Sequence, residues 1–225
     1  MIRMEKSKVN WSQVRYFPKL NPRAIQERHK KVIECLANFG VIRGDQLRNM
    51  FFRGKKSKVK QMEYYGMIVK HELVMGEQSI FFYTLSPALI EEYNGLYIRD
   101  YKRTVVSAII ERLIFLDTVM KFGEFKPILE ETNESPFVGV IKIGKNKIYT
   151  GVIYKNIQEW QHYFKWSPND QKRNILLVVE NLDHLEPLET PISNFLNQNS
   201  RLRVLIRREK ERSFYIWNGF NWVKE

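Results

Sequence analysis

Apolar positions recur at helical spacing from Ala24 onward, with Ile25, Val32, Ile33, Leu36, Ala37 and Phe39 on one face. Gly40 supplies the left-handed stop that ends such a helix. A second helix is predicted after Gly44, carrying Leu47, Met50 and Phe51 inward. A third starts at Ser57, a good N-cap residue, with Val59 and Met62 inward and Gly66 ending it. The pattern then changes to strand-like runs at Met67–Val74 and Ser79–Leu85, separated by Gly76-Glu77-Gln78, short enough for a hairpin. Ser86-Pro87 reads as the N-cap and first position of a further helix, whose acids Glu91 and Glu92 suit its dipole. Residues 102–121 make a long helix, and Val105, Val106, Ile109, Ile110, Leu113, Ile114, Leu116, Val119 and Met120 give it a stripe wider than the roughly 100° of a surface helix. Such a stripe is either buried between two domains or forms a dimer seam.

After Gly123 short strands alternate with helices. Phe137–Ile143 and Lys147–Ile153 flank Gly144-Lys145-Asn146 as a hairpin, Ile157–Phe164 is helical, and the continuous apolar run Ile175–Val179 is a buried strand. A helix over 187–196 and a strand at Val204–Ile206 follow, and Phe214–Val223 reads as a hairpin on an Asn218-Gly219 type I′ turn. At the other end, residues 1–23 form a basic arm in which Pro18 and Pro22 forbid a long helix, while Trp11, Tyr16 and Phe17 give it something to pack with. The organisation predicted is therefore an arm (1–23), a first domain (24–98), a connecting or dimerising helix (99–122) and an α/β domain (123–225). Three helices, a hairpin and a closing helix are the order of a winged helix-turn-helix, so the fold class is α+β, with a C-terminal α/β domain of nuclease-like layout.

Charge sharpens this picture. The 225 residues carry 37 Lys+Arg against 25 Asp+Glu, a net of +12. Residues 1–103 hold 20 basic and 10 acidic side chains, a net of +10, whereas 104–225 hold 17 and 15. A domain that binds phosphates needs its cations gathered on one surface, so this asymmetry points to nucleic acid. A hydrophobic content of 44% with 13% aromatics argues against disorder. No stretch approaches the roughly 18 apolar residues that span a bilayer, and the first residues lack a signal-peptide pattern. One cysteine rules out an internal disulfide framework. The expected setting is cytoplasmic, with no membrane.

The densest cationic stretch is Arg53-Gly54-Lys55-Lys56-Ser57-Lys58-Val59-Lys60. In a helix-turn-helix the second helix of the motif enters the major groove with its N-terminal end near base edges. With Val59 and Met62 inward, Lys58, Lys60, Gln61 and Tyr64 face outward. Lysine can donate to guanine acceptors and glutamine can bond adenine bidentately, so this face can read bases. Arg53, Lys55, Lys56 and Ser57 at the helix entry would meet phosphates together with free backbone N–H groups, and Lys70 would touch the backbone from the wing. Leu36-Ala37-Asn38-Phe39-Gly40-Val41-Ile42-Arg43-Gly44-Asp45-Gln46-Leu47, then the basic helix, then Tyr83-Thr84-Leu85-Ser86-Pro87 together resemble the replication-relaxation family of bacterial plasmids and integrative elements. The likeness covers residues 24–94 well and the remainder in layout. It implies a winged helix followed by a nuclease-like domain, and a role in DNA replication or transcription regulation of a mobile element.

Catalytic signals are absent from the pattern. A metal-dependent nuclease needs an acid on one strand and an (Asp/Glu)-x-Lys on the next. Here Lys155 is preceded by Val152 and Ile153, leaving only Glu111, Glu180 and Asp183 as displaced candidates. His29, His71, His162 and His184 show no metal spacing, Cys35 lies on the apolar side of its helix, and no phosphate-binding glycine loop occurs. Trp160, Tyr163, Phe164, Trp166, Trp217, Phe220 and Trp222 could stack unpaired bases but read as core. The expectation is a non-catalytic, sequence-specific binder of double-stranded DNA, without cofactor or metal. A homodimer is expected, and the C-terminal domain is free to recruit a protein partner. A nuclease with displaced carboxylates is the alternative.

Overall fold

A computed structural model describes residues 7–11, 20, 22–92, 105–166, 173–196, 201–207 and 213–225. The chain is mixed α+β and divides into two compact units, Met1–Leu113 and Ile114–Glu225. Among the described residues no helix is long and apolar enough to cross a membrane.

The first unit contains strand β1 (Ser7–Asn10), helix α1 (Glu27–Phe39), strand β2 (Ile42–Arg43), helices α2 (Gly44–Phe51) and α3 (Lys56–Tyr64), strands β3 (Ile68–Met75) and β4 (Gln78–Leu85), and helix α4 (Pro87–Glu92). The strands form one antiparallel sheet in the order β1-β3-β4-β2. α1 buries Val32, Ile33, Leu36, Ala37 and Phe39, and Gly40 ends it at φ +74°, its N–H returning to the Leu36 carbonyl at 2.8 Å. The hairpin closes tighter than the sequence implied, because Met75 pairs with Gln78 and only Gly76-Glu77 remains in the loop. Ser86 caps α4, its Oγ accepting the Leu89 N–H at 3.3 Å.

Two details differ from the sequence reading. α2 turns Leu47 and Gln46 fully inward while Met50 and Phe51 stay half-buried, because the Gln46 amide donates to the Leu113 carbonyl at 2.6 Å and takes a core position. Part of the basic arm is a strand. β1 pairs Lys8 with Val74 and Asn10 with Glu72, and the Trp11 ring meets His71 and Phe82 edge-on at 5.1 and 5.9 Å. Arg3, Lys6, Arg15, Tyr16, Phe17 and Lys19 lie outside the described residues, as do 99–104.

Helix α5 (Val106–Lys121) contains the boundary between the units, which falls after Leu113. Ile109, Ile110, Leu113, Ile114, Phe115, Leu116 and Val119 are each at most 6% exposed in the single chain. The sequence left this stripe as either buried or a dimer seam. Ile110 and Ile114 are buried in the single chain, whereas Val105 at the start of the stripe is 66% exposed.

In the second unit, strands β5 (Ile128–Glu130), β6 (Gly139–Ile143), β7 (Asn146–Val152), β8 (Asn174–Val179), β9 (Arg201–Ile206), β10 (Phe214–Trp217) and β11 (Trp222–Lys224) form a sheet ordered β11-β10-β9-β8-β7-β6-β5. β7, β8 and β9 run parallel and the outer pairs antiparallel. α6 (Ile157–Trp166), a 3₁₀ segment (Leu182–Leu188) and α7 (Glu189–Leu196) bury Trp160, Phe164, Leu185, Leu188, Ile192 and Phe195 against Ile175, Leu177, Val179, Leu202 and Val204 of the sheet. Trp160 is fully buried at the centre, its ring occupying the space where a side chain on Gly151 of β7 would sit. The aromatic residues read as core divide accordingly. Trp160 and Phe164 are core, whereas Trp166 and Phe220 are 65% and 91% exposed. The last hairpin is wider than the expected type I′ turn. Trp217 pairs with Trp222 across the four residues 218–221, and Asn218 Oδ1 accepts the N–H groups of Phe220 and Asn221 at 2.9 Å each.

Candidate nucleic-acid interface

The α2–α3 turn is built from Phe52-Arg53-Gly54-Lys55. The Arg48 carbonyl at the end of α2 accepts two N–H groups, from Phe52 at 3.0 Å and Gly54 at 2.9 Å. Arg53 and Gly54 both adopt positive φ, +48° and +81°, a conformation that a side-chain-bearing residue such as arginine rarely takes. The consequence is a sharp reversal that leaves Arg53, Gly54, Lys55, Lys56 and Ser57 all exposed.

The N-cap of helix α3 lies two residues earlier than the sequence indicated. Lys55 occupies the N-cap, without a side-chain capping bond, so Lys56 and Ser57 are helical and Ser57 is not the cap. Val59 and Met62 point inward as expected, at 4% and 0% exposure. The outward set then splits into two rows. Lys56, Lys60 and Tyr64, four residues apart, are exposed, Tyr64 by 76%, and Ser57 lies beside them. Lys58 and Gln61 are half-buried and tied together, with Lys58 Nζ donating to Gln61 Oε1 at 3.0 Å and Gln61 Nε2 to the Tyr65 hydroxyl at 3.5 Å.

This helix carries its cations at the wrong end for its own stability. Its first turn has no acid, and Lys56 and Lys58 face the positive pole of the helix dipole, each at a cost of about 0.3–1 kcal/mol. Among the described residues none of Arg53, Lys55, Lys56, Lys58 and Lys60 forms an ion pair. In the second unit several cations are ion-paired. Glu130 holds Lys142 and Lys147, Glu134 holds Arg173, Glu225 holds Arg203 and Glu180 holds Arg207.

Lys70 lies on β3, where its Nζ sits 3.7 Å above the Phe81 ring. Cross-strand pairing puts Lys70, Glu72, Phe81, Asn10 and Lys8 on one sheet face. Glu72 is held below the usual carboxylate range by hydrogen bonds from Asn10 and Ser79, with Lys8 and Lys70 adding to the effect. Lys8 was not singled out from the sequence as a site residue. The only signal available was the alternation Lys8-Val9-Asn10-Trp11, which is too short to place a strand.

The residues weighed for chemistry sit apart. Among the described residues no three His, Cys, Asp or Glu side chains come close enough to hold a metal ion. The Cys35 thiol is buried in the α1 core and pushed up to about 12. His71 is buried, and its Nε2 lies 2.9 Å from Thr84 Oγ1, whose own hydroxyl donates to the Leu85 carbonyl, so the histidine is the donor. No protein-family profile, curated protein or solved structure matches the chain.

His29 links the interface to stability. It is 1% exposed, its Nδ1 lies 3.2 Å from the Gln26 N–H and 3.1 Å from the Ala24 carbonyl, and burial, with Lys58 nearby and against the Ala24 hydrogen bond, lowers its pKa below 6.5. In the unfolded chain the ring takes a proton near pH 6.5. The folded unit disfavours that proton, so the stability this residue contributes is complete above about pH 6.5 and is lost as the pH falls below it. Amide hydrogen exchange at Val32–Leu36 should therefore accelerate between pH 7 and 5 after correction for intrinsic rates. His29→Gln should flatten that trend, and an unchanged corrected rate in the wild-type protein would contradict the assignment.

Proposed function

We propose that the chain is a non-catalytic, sequence-specific binder of double-stranded DNA. In this reading the first unit is a winged helix-turn-helix, α3 is its reading helix, and the β3–β4 hairpin is its wing. The observation that carries the reading is the group of five cations at the entry and along the first turns of α3, none of them ion-paired. A helix that opens on unpaired lysines spends local stability, and phosphates supply the missing counter-charge. The element order supports the same reading, since a short β2 after α1 pairs with the return strand β4 and two helices intervene before the hairpin.

Exposed Lys60 and Tyr64 are the surface offered to the groove, with Gln61 at its edge, and Arg53, Lys55, Lys56 and Ser57 meet the backbone at the helix entry. Lys70 and Lys8 extend the contact along the wing. Breaking the hydrogen bond between Gln61 and Lys58 frees both for bases. The resemblance to replication-relaxation proteins makes the process replication or transcription control of a bacterial mobile element in the cytoplasm. A two-fold operator would require a second copy, meeting the first through a surface other than Ile110 and Ile114.

The test is a set of single variants assayed on selected and random duplexes. Lys60→Ala and Gln61→Ala are expected to relax preference at one base position by about 1–3 kcal/mol. Arg53→Ala and Lys55→Ala are expected to weaken every duplex alike. Equal losses for all four on both kinds of DNA would remove α3 as the reading helix, and no binding by the wild-type protein to any duplex would remove the function.

A further inference from the structure

The sheet of the second unit has one face covered by α6 and α7, and the opposite face carries a cavity of about 380 Å³. That volume lies within the range of small-ligand sites. Its apolar lining comes from Phe122, Phe125, Ile148, Leu176 and Phe214. Two guanidinium groups share this lining, because alternation along β9 sends Leu202 and Val204 into the covered core and leaves Arg201 and Arg203 on the cavity side. Both arginines stay exposed at the cavity, where their guanidinium groups can reach an anion.

The cavity already shows which anion suits it. The Arg203 fork grips the Glu225 carboxylate with both arms, Nε to Oε2 at 2.6 Å and Nη2 to Oε1 at 2.5 Å, and lies 5.9 Å from the Phe214 ring. Arg201 lines the same cavity, and among the described residues its side chain has no hydrogen-bond or ion-pair partner. We propose that this cavity binds a small apolar monocarboxylic acid, with its body against Phe122, Phe125, Ile148 and Phe214 and its carboxylate on Arg201. Because Glu225 already neutralises Arg203, Arg201 is, among the described residues, the one arginine of the site left without a counter-charge, which matches a singly charged acid. Glu225 also competes for the guanidinium pair, which makes it a negative determinant of affinity. The inference is independent of DNA binding.

Isothermal titration of the full chain with 4-phenylbutyrate and octanoate tests this. At least one of the two acids should bind one molecule per chain, about tenfold or more tighter than 4-phenylbutan-1-ol or acetate, as expected for one charge-assisted hydrogen-bond pair added to apolar burial. Arg201→Ala, an exposed position, should weaken that binding about tenfold or more, and Glu225→Gln should tighten it. Phe125→Ser, at the half-exposed rim, should weaken the acid and leave the circular dichroism spectrum unchanged. The proposal fails if neither acid gives heat, if the alcohol binds as well as its acid, or if Arg201→Ala leaves affinity unchanged.

Discussion

Gly151→Ala is expected to be among the most damaging single substitutions in this protein. A methyl group built at Gly151 would lie 1.9 and 2.2 Å from two carbons of the Trp160 ring, well inside contact distance. Neither partner can yield easily. Gly151 is held in β7 by its pairing with Leu177 of β8, next to Thr150, which pairs with Gly139 of β6, and Trp160 is fully buried with Phe137 at 5.4 Å and Phe164 at 5.6 Å around it. Overpacking of this kind costs about 3 kcal/mol or more, against a total stability of about 5–15 kcal/mol for a whole domain. Denaturant unfolding followed by tryptophan fluorescence measures it, because four of the five tryptophans lie in the second unit. Trp160→Ala alone should cost about 3–5 kcal/mol by leaving a cavity. The double variant should be less damaged than the sum of the two, since the methyl group then enters the space the ring vacates. An unperturbed Gly151→Ala protein would mean that Trp160 does not pack across β7.

DNA affinity should fall by about three orders of magnitude between 50 and 200 mM salt, as counterion release requires for about five phosphate contacts. The contacts expected are Arg53, Lys55 and Lys56 at the entry of α3, and Lys70 and Lys8 on the wing. Charge reversal separates this from a diffuse effect of net charge. Lys55→Glu and Lys56→Glu should each reduce the slope of log affinity against log salt by about one or more. Lys142→Glu, which breaks a pair with Glu130 in the second unit, should leave it unchanged. A flat salt response, or equal slopes for all three variants, would show that the cluster on α3 is not where phosphates bind.

The local elements were legible because their signals are local. Gly40 at φ +74°, the inward pair Val59 and Met62, Ser86 over α4 and the buried run Ile175–Val179 each follow from spacing or from one residue's conformational preference. Legibility ended where hydrogen bonding in the turns chose between equal local options. Ser57 is the better N-cap by propensity, yet the reversal at Arg53 and Gly54 starts α3 at Lys56, because the Arg48 carbonyl collects two N–H groups and fixes the phase of the helix. Asn218-Gly219 is a good two-residue turn, yet pairing of Trp217 with Trp222 widens the loop to four residues.

The candidate interface shows the same division. Which residues are cationic, and that they cluster between residues 53 and 60, is fixed by composition, as is the imbalance between the two halves of the chain. Which of them are exposed and which are tied to a neighbour depends on the phase of α3, and that Lys8 joins Lys70 across β1 and β3 depends on pairings between residues more than 60 positions apart. Periodicity reports only what lies within a turn or two along the chain. The sequence by itself therefore determined the elements, their order and the sign of the charge on each half. Tertiary structure decided the burial of most of the α5 stripe, the strand made from the arm and the cavity beside Arg201 and Arg203. Each of these depends on surfaces brought together by folding, whose energies no local pattern contains.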